Sequence, residues 1–503
     1  MNINAEEYRN KVRGCWIGKN IGGTIGAPME GNTKTNNVEF YTHDLNGDPL
    51  PNDDLDLQLI WLTAAEYHGI YNLTPQLLGE YWINYIVGPW NEYSVCHFNI
   101  AKGLYPPLSG STNNDIWKNS NGAWIRSEIW ACVFPGNPDE AIRFAYMDAC
   151  QDHCGDGIYA EMFTTALESA AFVVNDLRKL IDIGLCKIPA DCRVARSVQL
   201  ACNCYDNGDN WLTARNKVME DSSDLGWFQA PANVAFAVIG LLYGEGDFGK
   251  SVCRAVNCGD DTDCTAATVG SILGIMYGYS NIPEKWIKPI GNSIKNIAIQ
   301  ILGRPRVAQL PQSIDALTDR VIKLAHAAQH ENPALFSLNN EKTTIPEGYH
   351  ATLTAQETAR EIWAYSPYEL VFKLPFGEIY VDFENGVNIA PGETKQVRVG
   401  ISSIIGNQNE VYFKWHMPEG WQAAPNSSSV MVKLGWASGF THAVTAGAFD
   451  DNIIYIPLEV RMSGRTNPTI LQVPFLLAGA TSYPKGTGDK SFHCTLMRLR
   501  ARS

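Results

Sequence analysis

Three aspartates crowd the start of one predicted helix. Asp260, Asp261 and Asp263 lie within four positions, directly ahead of an apolar run that carries small residues on nearly every turn. Neighbouring carboxylates repel one another and are costly to keep ionised unless positive charge lies among them. A helix N-terminus supplies part of that charge, and a hard cation such as Mg²⁺ supplies far more. The stretch therefore predicts half of a cation site, provided that a second acidic cluster exists elsewhere.

The second acidic cluster follows Pro51. Asn52 or Asp53 is a suitable N-cap for a helix with leucines on one buried face. The cap and first turn of this helix contain Asp53, Asp54 and Asp56. A capping role explains one acidic residue at each helix start, but it does not explain three at both. The two clusters together favour a cation site over two helices with surplus acidic residues.

A further carboxylate, Glu30, ends a glycine-rich bend over Gly22–Gly31 that follows a helix predicted for residues 5–22. The bend has neither the glycine spacing nor the lysine of a phosphate-binding loop. Glu30 alone is most simply a solvated loop residue. Beside two acidic clusters it becomes a candidate for the site.

Composition limits the class of protein. A chain of 503 residues predicts two or three domains, and a formal charge of −14 with a pI near 5.2 argues against nucleic-acid binding. No apolar run reaches the ~20 residues needed to span a bilayer. The N-terminal residues show no secretory leader, and the thirteen cysteines are odd in number and irregularly spaced. We therefore expect a cytoplasmic protein with reduced cysteines and no membrane or nucleic-acid partner.

The hydrophobic pattern changes along the chain. Helical spacing prevails up to about residue 345, and period-two alternation begins at Tyr368, which is typical of an antiparallel β-sandwich. We predict a helical domain over residues 1–340, a linker over 341–367 and a β-sandwich over 368–503. Later helices are predicted at Gln76–Val87, Asp139–Asp148, Asp156–Leu180, Cys192–Cys204, Trp211–Met219, Pro231–Tyr243, Asp263–Tyr279 and Ser313–Gln329.

Residues 88–122 are predicted to form a loop rich in aromatic residues. Tryptophans in such a region either belong to the core or form platforms on which sugars or bases stack, and both interpretations stay open. The tryptophans are Trp82, Trp90, Trp117, Trp124 and Trp130. His153 lies in a loop ahead of a helix, where a structural role is more common than a catalytic one.

With these motifs placed, the first ~340 residues resemble the ADP-ribosylglycohydrolase family. The motifs that carry the resemblance are the glycine-rich bend ending in Glu30, Asn52-Asp53-Asp54, and Asp261-Thr262-Asp263-Cys264. The resemblance implies an all-α catalytic domain with two Mg²⁺ ions, for which Mn²⁺ or Ca²⁺ are alternatives. The implied metal ligands are Asn52, Asp53, Asp54, Asp261 and Asp263. By the same resemblance, Asn121 and His153 lie in a region that contacts the substrate, together with Glu30.

The chain departs from the family pattern at two ligands. Asn52 and Cys264 replace two threonines. Asn52 still offers a carbonyl oxygen, whereas Cys264 is a poor ligand for Mg²⁺ and suits a softer metal, or it leaves that position to water. Near the C-terminus, Ala390–Val399 and Met417–Trp421 resemble β-sandwich modules of the NEW3 kind, which are attached to many sugar-cleaving enzymes.

The motifs and the resemblance together predict a metal-dependent hydrolase of a glycosidic bond. Its reaction would remove ADP-ribose from a protein or a small-molecule adduct, with Glu30 as the acid/base and with Asp54 or Asp261 able to share that role. One alternative is a glycosidase of the same fold that acts on a non-nucleotide glycan or furanoside. Another is a metal-stabilised binding protein without catalytic activity.

Overall fold

The computed structural model describes residues 1–88, 90–300, 310–404, 406–435 and 437–480. These residues divide into two units. The first comprises Met1–Ser94 and Asn114–Tyr365, and the second joins Val95–Asn113 to the chain from Ser366 onward. The short segment Val95–Asn113 therefore leaves the first unit and contributes to the second.

The first unit is helical, apart from a parallel pair of short strands, β1 (Asn2–Asn4) and β2 (Ser337–Asn339). Along the whole described chain the α-helices are α1 (Ala5–Gly26), α2 (Asp53–His68), α3 (Pro75–Tyr85), α4 (Asn91–Ala101), α5 (Leu108–Ser111), α6 (Glu128–Val133), α7 (Pro138–Ala149), α8 (Asp156–Ala171), α9 (Leu177–Cys186), α10 (Arg193–Asp206), α11 (Trp211–Asp221), α12 (Ala230–Tyr243), α13 (Phe248–Cys258), α14 (Thr262–Tyr277), α15 (Glu284–Ile287), α16 (Ile314–Glu331), α17 (Tyr349–Leu353) and α18 (Glu357–Trp363).

Helices α1 and α14 cross with almost no side chain between them. Four glycines of α1 at four-residue spacing (Gly14, Gly18, Gly22 and Gly26) face the backbone of α14 at Gly274, Gly270, Ala266 and Thr262. A Cβ atom added to any of these four would lie 2.0–2.2 Å from a backbone oxygen of α14. The Thr262 hydroxyl also donates to the Gly26 carbonyl at 2.8 Å. The two backbones therefore fix where the first turn of α14 lies relative to the end of α1.

Two expectations about the helices are wrong. The single helix expected over residues 156–180 is interrupted between Ala171 and Leu177. Asp176 caps the new helix by accepting from the backbone N–H groups of Arg178 and Lys179. The region expected as a loop contains helices α4 and α5, and three of its flanking tryptophans, Trp82, Trp124 and Trp130, are fully buried. Those three tryptophans belong to the core, whereas Trp90 and Trp117 are half-buried.

The second unit consists of two five-stranded sheets around one core. The strands are β3 (Glu369–Leu374), β4 (Gly377–Asp382), β5 (Asn388–Ile389), β6 (Thr394–Ser403), β7 (Asn409–Trp415), β8 (Gln422–Ala424), β9 (Ser427–Val432), β10 (Ala437–Thr445), β11 (Ile453–Met462) and β12 (Thr469–Leu477). Their orders are β3-β4-β6-β10-β8 and β5-β12-β11-β7-β9, and all pairs are antiparallel except β5 with β12. Leu104 and Leu108, from the segment Val95–Asn113, lie in this core. The predicted fold class, a helical domain followed by a β-sandwich, is confirmed.

No disulfide joins two of the cysteines in the described part of the chain. None of its helices combines the length and apolar character that crossing a membrane requires.

Candidate metal centre

The predicted metal ligands and Glu30 come from three chain segments. Glu30 follows a short 3₁₀ turn at Ala27–Met29, directly after α1. Asn52 caps α2, and its Oδ1 accepts from the Asp54 N–H at 2.8 Å. Asp261 is the N-cap residue of α14. The close crossing of α1 and α14 brings Glu30 beside the first turn of α14.

Two groups of possible metal ligands share one carboxylate. Asp54, Asp263 and Cys264 have ligand atoms within 4.8 Å of one another, and so do Glu30, Asp261 and Asp263. We call the first group the thiol position and the second the rim position, because Glu30 is exposed whereas the other four residues are buried. Asp263 belongs to both groups, so the two positions are adjacent.

Several carboxylate oxygens at these positions accept no hydrogen bond from the protein. Asp54 Oδ2, Asp261 Oδ1 and Asp263 Oδ1 are buried and accept no hydrogen bond. Buried polar atoms are nearly always paired, and an unpaired carboxylate oxygen is costly. Divalent cations with oxygen ligands would satisfy all three atoms. The rim position, which is built only from carboxylates, fits Mg²⁺ by its donor atoms.

Two other predicted ligands lie beside these groups. The amide oxygen of Asn52 already accepts the hydrogen bond of the helix cap. The amide nitrogen of Asn52 packs against Gly23, where an added Cβ atom would lie only 2.2 Å from it. Asp53 is half-buried and accepts from the Tyr93 hydroxyl at 3.2 Å. Neither residue belongs to the two groups of converging atoms.

Asn121 and His153, which were predicted to contact substrate together with Glu30, are both buried. Asn121 is fully buried, and its Nδ2 donates to Asp261 Oδ2 at 2.7 Å, which leaves Asp261 Oδ1 free. His153 is also fully buried. Its ring nitrogens contact Asp152 Oδ1 at 2.8 Å and Ser120 Oγ at 3.1 Å. Both ring nitrogens of His153 are therefore engaged by protein side chains.

One surplus aspartate at each helix start holds a neighbouring loop. Asp56 accepts from the backbone N–H groups of Ile297 and Ala298 at 2.7 and 2.6 Å. Asp260 accepts from the Phe228 N–H at 2.8 Å and from Asn233 Nδ2 at 3.1 Å. Each acidic cluster therefore combines structural and ligand-type carboxylates, which residue type alone could not separate.

Lys19 is a component that the sequence analysis missed. Its Nζ donates to Glu128 Oε1 at 2.8 Å and to the Ile125 carbonyl at 2.7 Å, and lies 3.9 Å from Asp54 Oδ2. Burial lowers the pKa of Lys19, but the charges of Glu128 and Asp54 outweigh burial and raise the pKa above its usual value. The sequence feature that could have identified Lys19 is its position among apolar residues on the buried face of α1.

Without a cation, the clustered carboxylates bind protons unusually strongly. The charge of Asp263, followed by burial, raises the pKa of Glu30 to about 8. Burial, followed by the charge of Asp263, raises the pKa of Asp53 to about 6. Burial is also the main cause that raises the pKa values of Asp54, Asp261 and Asp263. The site thus carries more negative charge than the protein alone neutralises.

These pKa values predict how the stability of the metal-free protein depends on pH. Folded-state pKa values of about 8 for Glu30 and about 6 for Asp53 exceed the usual carboxylate values of about 4. The folded state then holds more protons than the unfolded state, so stability is lost as pH rises through the folded values. We expect the thermal midpoint of chelator-treated protein to fall between about pH 5 and pH 9. Saturating Mg²⁺ should reduce this slope, and equal slopes with and without Mg²⁺ would contradict the prediction.

The first unit is helical, and two adjacent groups of possible metal ligands lie at its helix starts. The family model for ADP-ribosylglycohydrolase matches residues 4–330. The chain belongs to the ADP-ribosylglycohydrolase family, whose name denotes hydrolysis of glycosidic bonds.

Similar proteins include two ADP-ribosylarginine hydrolases named Tri1. The one from Serratia proteamaculans is 39% identical over 67 residues, and the one from Pseudomonas putida is 31% identical over 77 residues. These matches span 13% and 15% of this chain, and only 18% and 21% of the relatives. An uncharacterised Archaeoglobus fulgidus protein is 23% identical over 295 residues, which cover 55% of this chain and 90% of that protein.

A solved structure described as an ADP-ribosylglycohydrolase-related protein complex is also similar. It has a TM-score of 0.43 and 18% sequence identity, and the match covers 65% of this chain and 99% of that chain.

Proposed function

We propose that this protein is a metal-dependent hydrolase that releases ADP-ribose from a protein or small-molecule adduct by cleaving its glycosidic bond. The observation that carries the proposal is the pair of adjacent positions that share Asp263 and present buried, unpaired carboxylate oxygens. Members of the family are generally metal-dependent. We take arginine-linked ADP-ribose as the first substrate to test, because two relatives are named for it.

In this proposal Asp261 and Asp263 hold a Mg²⁺ ion at the rim position, with the Glu30 carboxyl group beside it, and Mn²⁺ or Ca²⁺ are alternatives. A bound divalent cation supplies positive charge that orients sugar hydroxyls and makes water a better nucleophile at neutral pH. Asn121 fixes one oxygen of Asp261 and thereby turns the other oxygen towards the site. Asp53 lies beside both positions, with Tyr93 orienting its carboxylate.

We assign proton transfer to Glu30. Among the five residues of the two positions it alone is exposed, so substrate and water can reach its carboxyl group. Glycosidic cleavage passes through an oxocarbenium-like state and needs a carboxyl group that protonates the leaving atom or takes a proton from water. Asp54 is buried, accepts from the Cys264 thiol and lies near Lys19, which suits a ligand better than a proton donor.

A groove on the β-sandwich favours a second candidate, a glycosidase of a non-nucleotide glycan or furanoside. The groove has a volume of about 580 Å³ and is lined by Tyr412, Lys414, Ser429, Glu459 and Arg461, among others. Tyr412 is 42% exposed. An exposed aromatic ring among hydrogen-bonding side chains is typical of surfaces that bind sugars.

Turnover of an ADP-ribosylated arginine peptide tests the proposal. We expect release of ADP-ribose to stop in chelator and to return with Mg²⁺. Glu30→Gln should lower kcat by about 10²–10⁴-fold, because it removes the acid/base group while keeping its size. Full turnover in chelator would contradict the proposal. Absence of ADP-ribose binding by calorimetry, with turnover of a furanoside, would favour the second candidate, and cation binding without any turnover would favour a binding protein.

A further inference from the structure

The thiol and rim positions have different donor atoms. The rim position offers three carboxylates, which are the ligands that hard cations prefer. The thiol position offers two carboxylates and the sulfur of Cys264, which is 4% exposed. Thiolate sulfur selects softer divalent metals such as Zn²⁺ over Mg²⁺. The same carboxylate, Asp263, therefore belongs to one position whose donor atoms suit hard cations and to another whose donor atoms suit softer metals.

The spacing at the thiol position suits a tetrahedral metal with a sulfur ligand. Cys264 Sγ lies 3.4 Å from Asp54 Oδ1, to which it donates a hydrogen bond. In a tetrahedral zinc site, Zn–S and Zn–O bonds of about 2.3 and 2.0 Å place sulfur and oxygen about 3.5 Å apart. A zinc ion could therefore replace the thiol hydrogen with little movement of either atom. Asp54 Oδ2 and Asp263 Oδ1, which accept no hydrogen bond, provide buried oxygens at the same position.

The buried Lys19 ammonium bears on which ligands a cation at the thiol position needs. The Lys19 ammonium lies 3.9 Å from Asp54 Oδ2 and is fully buried. A second divalent cation bound by Asp54 would be repelled by this fixed positive charge at short range. A neutral hydroxyl ligand at residue 264 would not offset that repulsion, whereas a thiolate adds a negative charge on the metal.

We propose that the thiol position binds a zinc-type divalent ion through Cys264, Asp54 and Asp263, while the rim position binds a hard cation. This inference rests on the proposed metal centre and gives it two chemically different halves. Binding forms a metal–sulfur bond and releases the thiol proton to solvent, and no atom changes oxidation state.

Cobalt spectroscopy tests the proposal on the full-length protein. Metal-free protein is saturated with Mg²⁺ and titrated with Co²⁺, which replaces Zn²⁺ and reports sulfur ligation. We expect stoichiometric Co²⁺ binding with a near-ultraviolet thiolate-to-cobalt charge-transfer band, which added Zn²⁺ removes. Cys264→Ser should abolish the band and weaken Zn²⁺ binding at least about tenfold.

Cys258→Ser is the matched control. Cys258 is fully buried at the end of α13, six residues before Cys264, and belongs to neither position. This variant should keep the band. Stoichiometric Co²⁺ binding without the band in the unmodified protein would overturn the inference and leave the proposed metal centre intact. Failure to bind either Co²⁺ or Mg²⁺ would overturn both. If Cys264→Ser does not fold, Cys264→Ala takes its place. A band in the unmodified protein that is absent from Cys264→Ala then supports sulfur ligation by Cys264.

Discussion

Replacing Asp263 with alanine is expected to abolish cation binding at both positions and to lower turnover more than about 100-fold. Asp263 is the one carboxylate common to the two groups of converging ligand atoms, and its Oδ1 is buried without a hydrogen-bond partner. Its removal therefore takes a ligand from both cations, whereas loss of Asp261 or Cys264 affects one. Calorimetric titration with Mg²⁺ and Zn²⁺ measures the effect.

Asp260→Asn provides the control for this experiment. Asp260 lies three residues earlier and accepts from the Phe228 N–H and from Asn233 instead of facing the two positions. Its φ of 68° is one that asparagine tolerates. We expect this variant to bind both cations. If the alanine variant of Asp263 stays folded by circular dichroism and still binds two cations, the ligand set is wrong.

Lys19→Met is expected to destabilise the protein by about 3–5 kcal/mol, because it leaves the buried Glu128 carboxylate without its cation. The Lys19 and Glu128 side chains are fully buried and lie 2.8 Å apart. Glu128 also accepts from Gln58 Nε2 and from the Ser271 hydroxyl, but neither group carries a charge. Urea unfolding of chelator-treated protein measures the loss.

The double variant Lys19→Met/Glu128→Gln separates loss of charge balance from loss of packing. Removing both charges should recover a large part of the stability lost in the single variant, since a buried charge without its partner costs more than a neutral pair. A double variant as unstable as the sum of the two single variants would show that the Lys19–Glu128 pair is not coupled.

The sequence predicts those parts of the fold and site that depend on local patterns. Period-two alternation correctly predicts strands such as β7 and β11, and the N-cap residue Asn52 locates the start of α2. The segment Val95–Asn113 shows the limit of such patterns. Leu104 and Leu108 pack with sandwich residues such as Val381 that lie more than 250 positions later. Local periodicity in a sequence cannot identify a packing partner that lies so far away along the chain.

The same limit applies within the metal centre. The types and spacing of the acidic residues identify the cluster, but the division of roles depends on partners remote in sequence. Asp56 accepts hydrogen bonds from the backbone N–H groups of Ile297 and Ala298. Asp261 accepts a hydrogen bond from Asn121, which lies 140 positions away in the sequence. Only the three-dimensional arrangement shows which carboxylate oxygens stay unpaired.

The glycine-lined crossing of α1 and α14 lets the main chain set how close the end of α1 lies to the start of α14. Because the glycines at Gly18 and Gly22 leave no room for side chains against the backbone of α14, side-chain size does not set this distance. The side chain of residue 264 can therefore change while the crossing is kept. At the proposed metal centre, a single substitution at residue 264 would then exchange one ligand atom for another on an unchanged helical scaffold.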